Sequence, residues 1–248
     1  MPSTWEIAFS LAQPQYVHPS GVHAFLARVF NEGTEHKLNQ PKPYSLVQIR
    51  TVPDHAIVTL SFIDDRLAMD LEETVAPGMS AVFGRQSAGS GEVAEVPRLI
   101  THSSWDGLIR IDTPDAWALE LQTPTCFRRG NASTPWPSPE HILESLARSW
   151  RQGSRSELPF ALPAVSSILV RWVELHSQVV KASPKPMKGS TGRLEWEWAP
   201  HPKYAPDREG AAAVTSLLAL AEFAGVGAYT QFGLGRVLVF PLERVTRR

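Results

Sequence analysis

The sequence predicts an α+β protein made of two tandem ferredoxin-like (RRM-like, βαββαβ) units. Strand-like alternation opens each half, at residues 4–12 and again at 117–121. Each opening strand is followed by a helix-period segment, further strand-like segments, a second helix and a last apolar run, which is the order of a ferredoxin-like unit. Thr113, Pro114 and Asp115 form a boundary signal between the halves. The expected domains are therefore 1–113 and 114–248.

In residues 4–12, Trp5, Ile7, Phe9 and Leu11 alternate with Glu6, Ala8 and Ser10, as in a half-buried strand. Residues 21–30 set Val22, Phe25, Leu26, Val29 and Phe30 on one helical face. The polar stretch 31–42 shows no period, and Pro41 and Pro43 close it. Residues 44–50 and the β-branched 55–63 read as strands. Asp64 is placed to cap a helix running through residue 75. Residues 79–83 supply another strand, and 93–111 either continue the sheet or form a hairpin.

In the second half, Ser138 caps a helix over 139–151 with Ile142, Leu143, Leu146 and Trp150 on its apolar side. Residues 164–180 are apolar and fit helix or strand. Residues 181–193 hold four basic side chains among prolines, glycines and serines, with no acid, and read as a mobile loop. Residues 194–198 alternate as a strand in which Trp196 and Trp198 serve packing, 211–224 form an apolar helix, and 237–240 a buried strand.

Between that last helix and strand lies GVGAYTQFGLGRV (225–237), with four of the sixteen glycines in eleven residues. Such spacing admits φ > 0 and lets amides approach an anion, while Gly225 suits a helix cap. A bulge or tight turn is the alternative for the others. The order is the reverse of a dinucleotide-binding turn, and no Gly-Lys-Ser/Thr follows, so neither that motif nor a Walker loop is present.

Composition narrows the classes further. With 43% hydrophobic and 20% charged residues in 248, the chain is an ordinary globular protein, long enough for one large or two modest cores. Cys126 is the single cysteine, which excludes an intramolecular disulfide and a cysteine-cluster metal site. No histidine pair at i, i+4 with a nearby carboxylate occurs, so neither metal nor cofactor is expected. The N-terminus has no signal-like start and no stretch reaches the length of a membrane span, giving a cytoplasmic expectation with no membrane partner. The net charge of −1 hides an asymmetry: from residue 125 onward, sixteen Lys and Arg face ten Asp and Glu. A local positive face of that kind suits a nucleic-acid backbone.

Several segments together resemble one family. They are TPTCFR (123–128), PSPE (137–140) opening a helix with Leu146 and Trp150, the segment FAGVGAYTQFGLGRV (223–237), and HKLNQPKPYS (36–45) after the first helix. In this order they are similar to the CRISPR-associated RAMP endoribonucleases that process precursor CRISPR RNA. The glycine loop marks the wider superfamily; the histidine segment narrows the match. The resemblance implies two ferredoxin-like domains, repeat RNA as partner, and metal-independent cleavage leaving a 2′,3′-cyclic phosphate and a 5′-hydroxyl.

That chemistry is within reach of these side chains. RNA carries its own nucleophile, the 2′-hydroxyl, so the protein need only move protons and stabilise charge. Histidine suits both proton roles near neutrality. His36 is the expected catalytic group, with Lys42 to stabilise the phosphorane and Lys37 and Tyr44 in reserve. Ala27 stands where several relatives carry a tyrosine, leaving a third role vacant or open to Arg28, Tyr16 or His23. RNA contacts are expected from Arg128, Arg129, Arg148, Arg151, Lys181, Lys185, Lys188, Arg193 and Arg236, and from the backbone at Gly225, Gly227, Gly233 and Gly235. Two rival readings are a non-catalytic RAMP subunit coating guide RNA in an effector complex and a domain binding a small phosphorylated ligand. Effector proteins and a second copy of the chain are further possible partners.

Overall fold

Alternation along β1 (Ser3–Leu11) sets the first sheet: Trp5, Ile7, Phe9 and Leu11 are all buried, while the residues between them stay partly open. The computed structural model describes residues 1–12, 17–30, 42–83, 89–130, 132–181 and 186–243. β1 is followed by α1 (Pro19–Val29), β2 (Tyr44–Val52), β3 (His55–Phe62), α2 (Asp65–Thr74), β4 (Ser80–Val82), β5 (Ser90–Val93), β6 (Arg98–His102) and the short α3 (Trp105–Leu108). The strand order is β2-β3-β1-β5-β4, and β6 pairs with the other end of β1. α1 and α2 lay their apolar faces on this sheet. Phe9 meets Phe25 and Phe83 edge-on, with centroids 5.3 and 4.9 Å away. Burying side chains of this size contributes about 1.5–3 kcal/mol each.

The second sheet is more regular. β7 (Ala116–Thr125) leads through the small hairpin β8 (Phe127–Arg129) and β9 (Ala132–Thr134) to α4 (Pro139–Ser154). Then come β10 (Ile168–Val180), β11 (Met187–Trp198), α5 (Arg208–Ala224) and β12 (Val237–Leu242). The order β10-β11-β7-β12 is antiparallel throughout and has ferredoxin-like topology. Caps fall where the residue types require them: Asp64 accepts from the Arg66 amide, Ser138 from the His141 amide, and Gly225 ends α5 at φ 66°. Among the described residues, no helix is long and apolar enough to cross a membrane.

Three expectations change. Of residues 164–180, Val165–Ser167 form a single 3-10 turn and the rest, from Ile168, is strand, with apolar side chains on both sides of β10. Residues 93–111 split: β6 joins the first sheet, whereas α3 packs with the second core, where Trp105 meets Trp150 at 5.1 Å. The loop expected over 181–193 is, from Met187 on, the first part of β11, so Lys188 and Arg193 are strand residues. Its glycines serve a different end. Gly192 sits at φ +129°, where a Cβ would fall 2.0 Å from the Glu174 carbonyl oxygen. Glycine there permits close strand approach at a bulge.

The halves meet along β2, α1 and the glycine-rich segment. Ser45 Oγ donates to the Phe223 carbonyl at 2.9 Å, Arg236 reaches the Val47 carbonyl at 3.4 Å, and the His23 ring stands 4.8 Å from that of Phe232.

Candidate functional site

The glycine segment is shaped from the strand it leans on. Gly227, at φ +85°, would place a Cβ 2.3 Å from the Cys126 carbonyl oxygen; Gly235, at φ +73°, would place one 2.1 Å from that of Val226. Neither site admits a side chain. The amides are equally committed: Val226 donates to Gly235 at 2.8 Å, Ala228 to Cys126 at 2.8 Å, and Gly235 to Pro124 at 3.2 Å. Gly227 donates to Ser145 Oγ on α4 at 2.9 Å and Arg236 to Thr123 Oγ1 at 2.9 Å. The amides of Gly225 and Gly233 donate to Ala221 and Thr230. An open cradle of amides at these glycines, as their spacing suggests, is therefore not what forms. Their amides bind the protein, and the loop becomes one wall of a pocket.

That pocket lies at the junction of the halves. Lys42 and Tyr44 approach from the start of β2, Ser145, Arg148 and Ser149 from α4, and Gly225, Gly227 and Thr230 from the loop; Ile63, Phe223 and Ala224 supply the apolar lining. Two cations, hydroxyls and a phenol line it, with no carboxylate among them. Ser145, Arg148 and Ser149 follow i, i+3, i+4 spacing and so share one side of α4. Ile142, Leu143, Leu146 and Trp150 are buried on the other side and hold the helix in place. Just behind the pocket, His23 Nδ1 lies 2.6 Å from Tyr44 Oη, a hydrogen bond linking α1 to the pocket wall.

The other predicted residues scatter. His36 and Lys185 lie outside the described residues, as do Lys37 and Tyr16 and the side chain of Arg129. Arg128 lies 6.0 Å over the Tyr229 ring, beside the glycine segment. Arg151 is at 4.0 Å from Glu157. Lys181 and Lys188 are exposed on the β10–β11 hairpin. Arg193 is held by Glu195 at 2.7 Å and Glu120 at 3.4 Å. Arg28, weighed for the third role, donates to the Ser80 carbonyl at 2.6 Å. Ser145, Ser149 and Thr230 escaped the sequence reading; helical spacing around Arg148 was the signal for the two serines.

Electrostatics divide these regions. Burial alone would raise the Glu195 carboxyl, but hydrogen bonds and charge from Arg193 and Arg171 overcome it and hold the group below the usual carboxylate range. Burial pushes the Cys126 thiol up to about 11, against the weak opposing pull of Arg128, which leaves it an inert packing residue. Trp196 is fully buried, and Trp198 packs edge-on against Trp117 at 4.8 Å while its indole donates to the Pro114 carbonyl. Both therefore serve packing. Among the described residues, no group of three or more His, Cys, Asp and Glu is placed to hold a metal ion.

Residues 119–237 match the family model of the CRISPR-associated endoribonuclease Cas6. No curated protein is significantly similar in sequence. In structure, the chain is similar to a Thermus thermophilus Cas6 in a product complex, with 22% identity, 97% of this chain and 100% of that one covered, and a TM-score of 0.71. It is also similar to another Cas6 in a substrate mimic complex (20% identity, 96% and 99% covered, TM-score 0.70). A histidine-to-alanine mutant of that Cas6 matches at 22% identity (96% and 100% covered, TM-score 0.66). These likenesses establish a shared tandem ferredoxin-like fold. The family pattern spans residues 119–237, a little under half of the chain, and lies on that shared fold.

Proposed function

We propose that the protein is an endoribonuclease that cuts CRISPR repeat RNA in precursor transcripts to give guide RNAs. The observation that carries this reading is the position of Lys42. It follows His36 by six residues and enters a pocket walled by the segment that matches the Cas6 family model. In the reading, the 2′-hydroxyl beside the scissile phosphate attacks phosphorus and the 5′-oxygen leaves. His36 handles the proton transfers and Lys42 stabilises the charge of the phosphorane. The products are a 2′,3′-cyclic phosphate and a 5′-hydroxyl, and no metal ion takes part. His23 fills the third role, supported by its hydrogen bond to Tyr44 in the pocket wall. The division at residues 113 and 114 assigns the histidine and lysine to one domain and the RNA-facing α4 and loop to the other. Exposed Arg128, Arg151, Lys181 and Lys188, with Arg129 and Lys185, set affinity and register along the backbone.

The test is incubation with the cognate repeat RNA in excess EDTA beside a His36→Ala variant. The wild type should cleave, and the variant should lose about a hundredfold or more in rate. A need for metal, or full activity without His36, would refute the mechanism. If wild type binds the repeat and never cuts it, the guide-coating reading takes its place. Repeat RNA with deoxyribose at the scissile nucleotide should bind and resist cleavage.

A further inference from the structure

Of the arginines expected to touch RNA, Arg148 is distinguished by its surroundings. Arg193 is met by two carboxylates and Arg151 by one, and Arg236 reaches a carbonyl. Among the described residues, no acid pairs with Arg148. It shares its pocket with Lys42, and the hydroxyls of Ser149 and Thr230 line the same space without a carboxylate. Arg148 brings its charge to a lining that Lys42 also enters, so an anion seated there would meet both side chains. Arg148 is exposed on a packed helix, and its planar guanidinium can meet two oxygens of a phosphate. The loop wall is tied to the same helix, since Ser145 Oγ accepts from the Gly227 amide.

We infer that Arg148 and Lys42 together hold one phosphodiester of the RNA backbone in this pocket. The site is then composite: α4 of the second half contributes a charge to chemistry carried by the first. The identity of the anion as RNA rests on the function proposed above. The pocket itself does not depend on cleavage.

The experiment uses full-length protein and uncleavable repeat RNA, deoxy at the scissile nucleotide, with a neutral methylphosphonate walked singly through each linkage. Binding is read by fluorescence anisotropy for wild type, Arg148→Ala and Arg148→Lys. At one linkage the methylphosphonate should weaken wild type about tenfold and Arg148→Ala, which keeps only the Lys42 contact, by clearly less, while Arg148→Lys recovers part of the loss. Single-turnover cleavage of all-ribose RNA at saturating protein should fall with Arg148→Ala at least as far as affinity does. If Arg148→Ala matches wild type, or its loss is the same at every linkage, the composite site is wrong. If wild type shows the single-linkage signature but does not cut, the pocket stands and the endoribonuclease reading falls. If wild type does not bind the RNA, both fall.

Discussion

Arg193 on β11 and Arg148 on α4 belong to the same basic half, yet the first is met by carboxylates and the second lines a pocket with hydroxyls and a lysine. Around Arg193, the chain spends its positive charge internally: Arg171 and Arg193 tie Glu120, Glu195 and Glu197 across three neighbouring strands. Around Arg148 the charge is left for something else. If Arg148 holds RNA as inferred above, the surplus counted along the sequence overstates the hairpin's share of binding and understates that of the junction.

The largest expected effect on this contrast is at Lys42. Lys42→Ala should slow single-turnover cleavage by about a hundredfold, the scale of losing one group that stabilises the transition-state charge, with the melting temperature unchanged. Next is Gly235→Ala. A methyl forced against the Val226 carbonyl at positive φ should cost about 2 kcal/mol or more in urea unfolding and loosen the pocket wall with it. Arg193→Ala should be smaller still. The side chain is 39% exposed, so its pairs should contribute under about 1 kcal/mol to stability, and affinity for repeat RNA should stay within about twofold. Smallest is the pH dependence of the carboxylate it holds. The folded Glu195 has a lowered pKa, so its contribution is fully present above the unfolded value of 4.5 and is lost as pH falls through the folded value. Thermal melts below pH 4.5 should show this loss, and Glu195→Gln should flatten it.

Much of the architecture was readable because local and global demands agree. The alternation of β1, the Asp64 and Ser138 caps and the Gly225 stop each name an element from residue chemistry alone. The failures have physical causes. β5 is Ser90 to Val93, with a glycine in four residues; it is a strand because β1 offers it an edge, and its own propensity says otherwise. β10 is ambiguous because its apolar residues occupy both faces, leaving Trp172 more than half exposed on a strand at the sheet edge. The start of β11 imitates a loop because close approach at Gly192 demands the residue that loops also prefer. At the site, single residues were legible and their company was not. Arg148 and Lys42 are 106 positions apart in sequence, and only the packing of α4 and the glycine loop against β2 puts them in one pocket. The same glycines that advertised an anion cradle bind their amides within the protein and line a pocket instead.

The most direct measurement is the salt dependence of binding to uncleavable repeat RNA by wild type, Arg148→Ala and Arg193→Ala. Each phosphate neutralised by the protein adds close to one to the slope of log affinity against log salt. Arg148→Ala should lower that slope by about one, and Arg193→Ala should leave it unchanged. A slope that falls for Arg193→Ala and holds for Arg148→Ala would contradict the account.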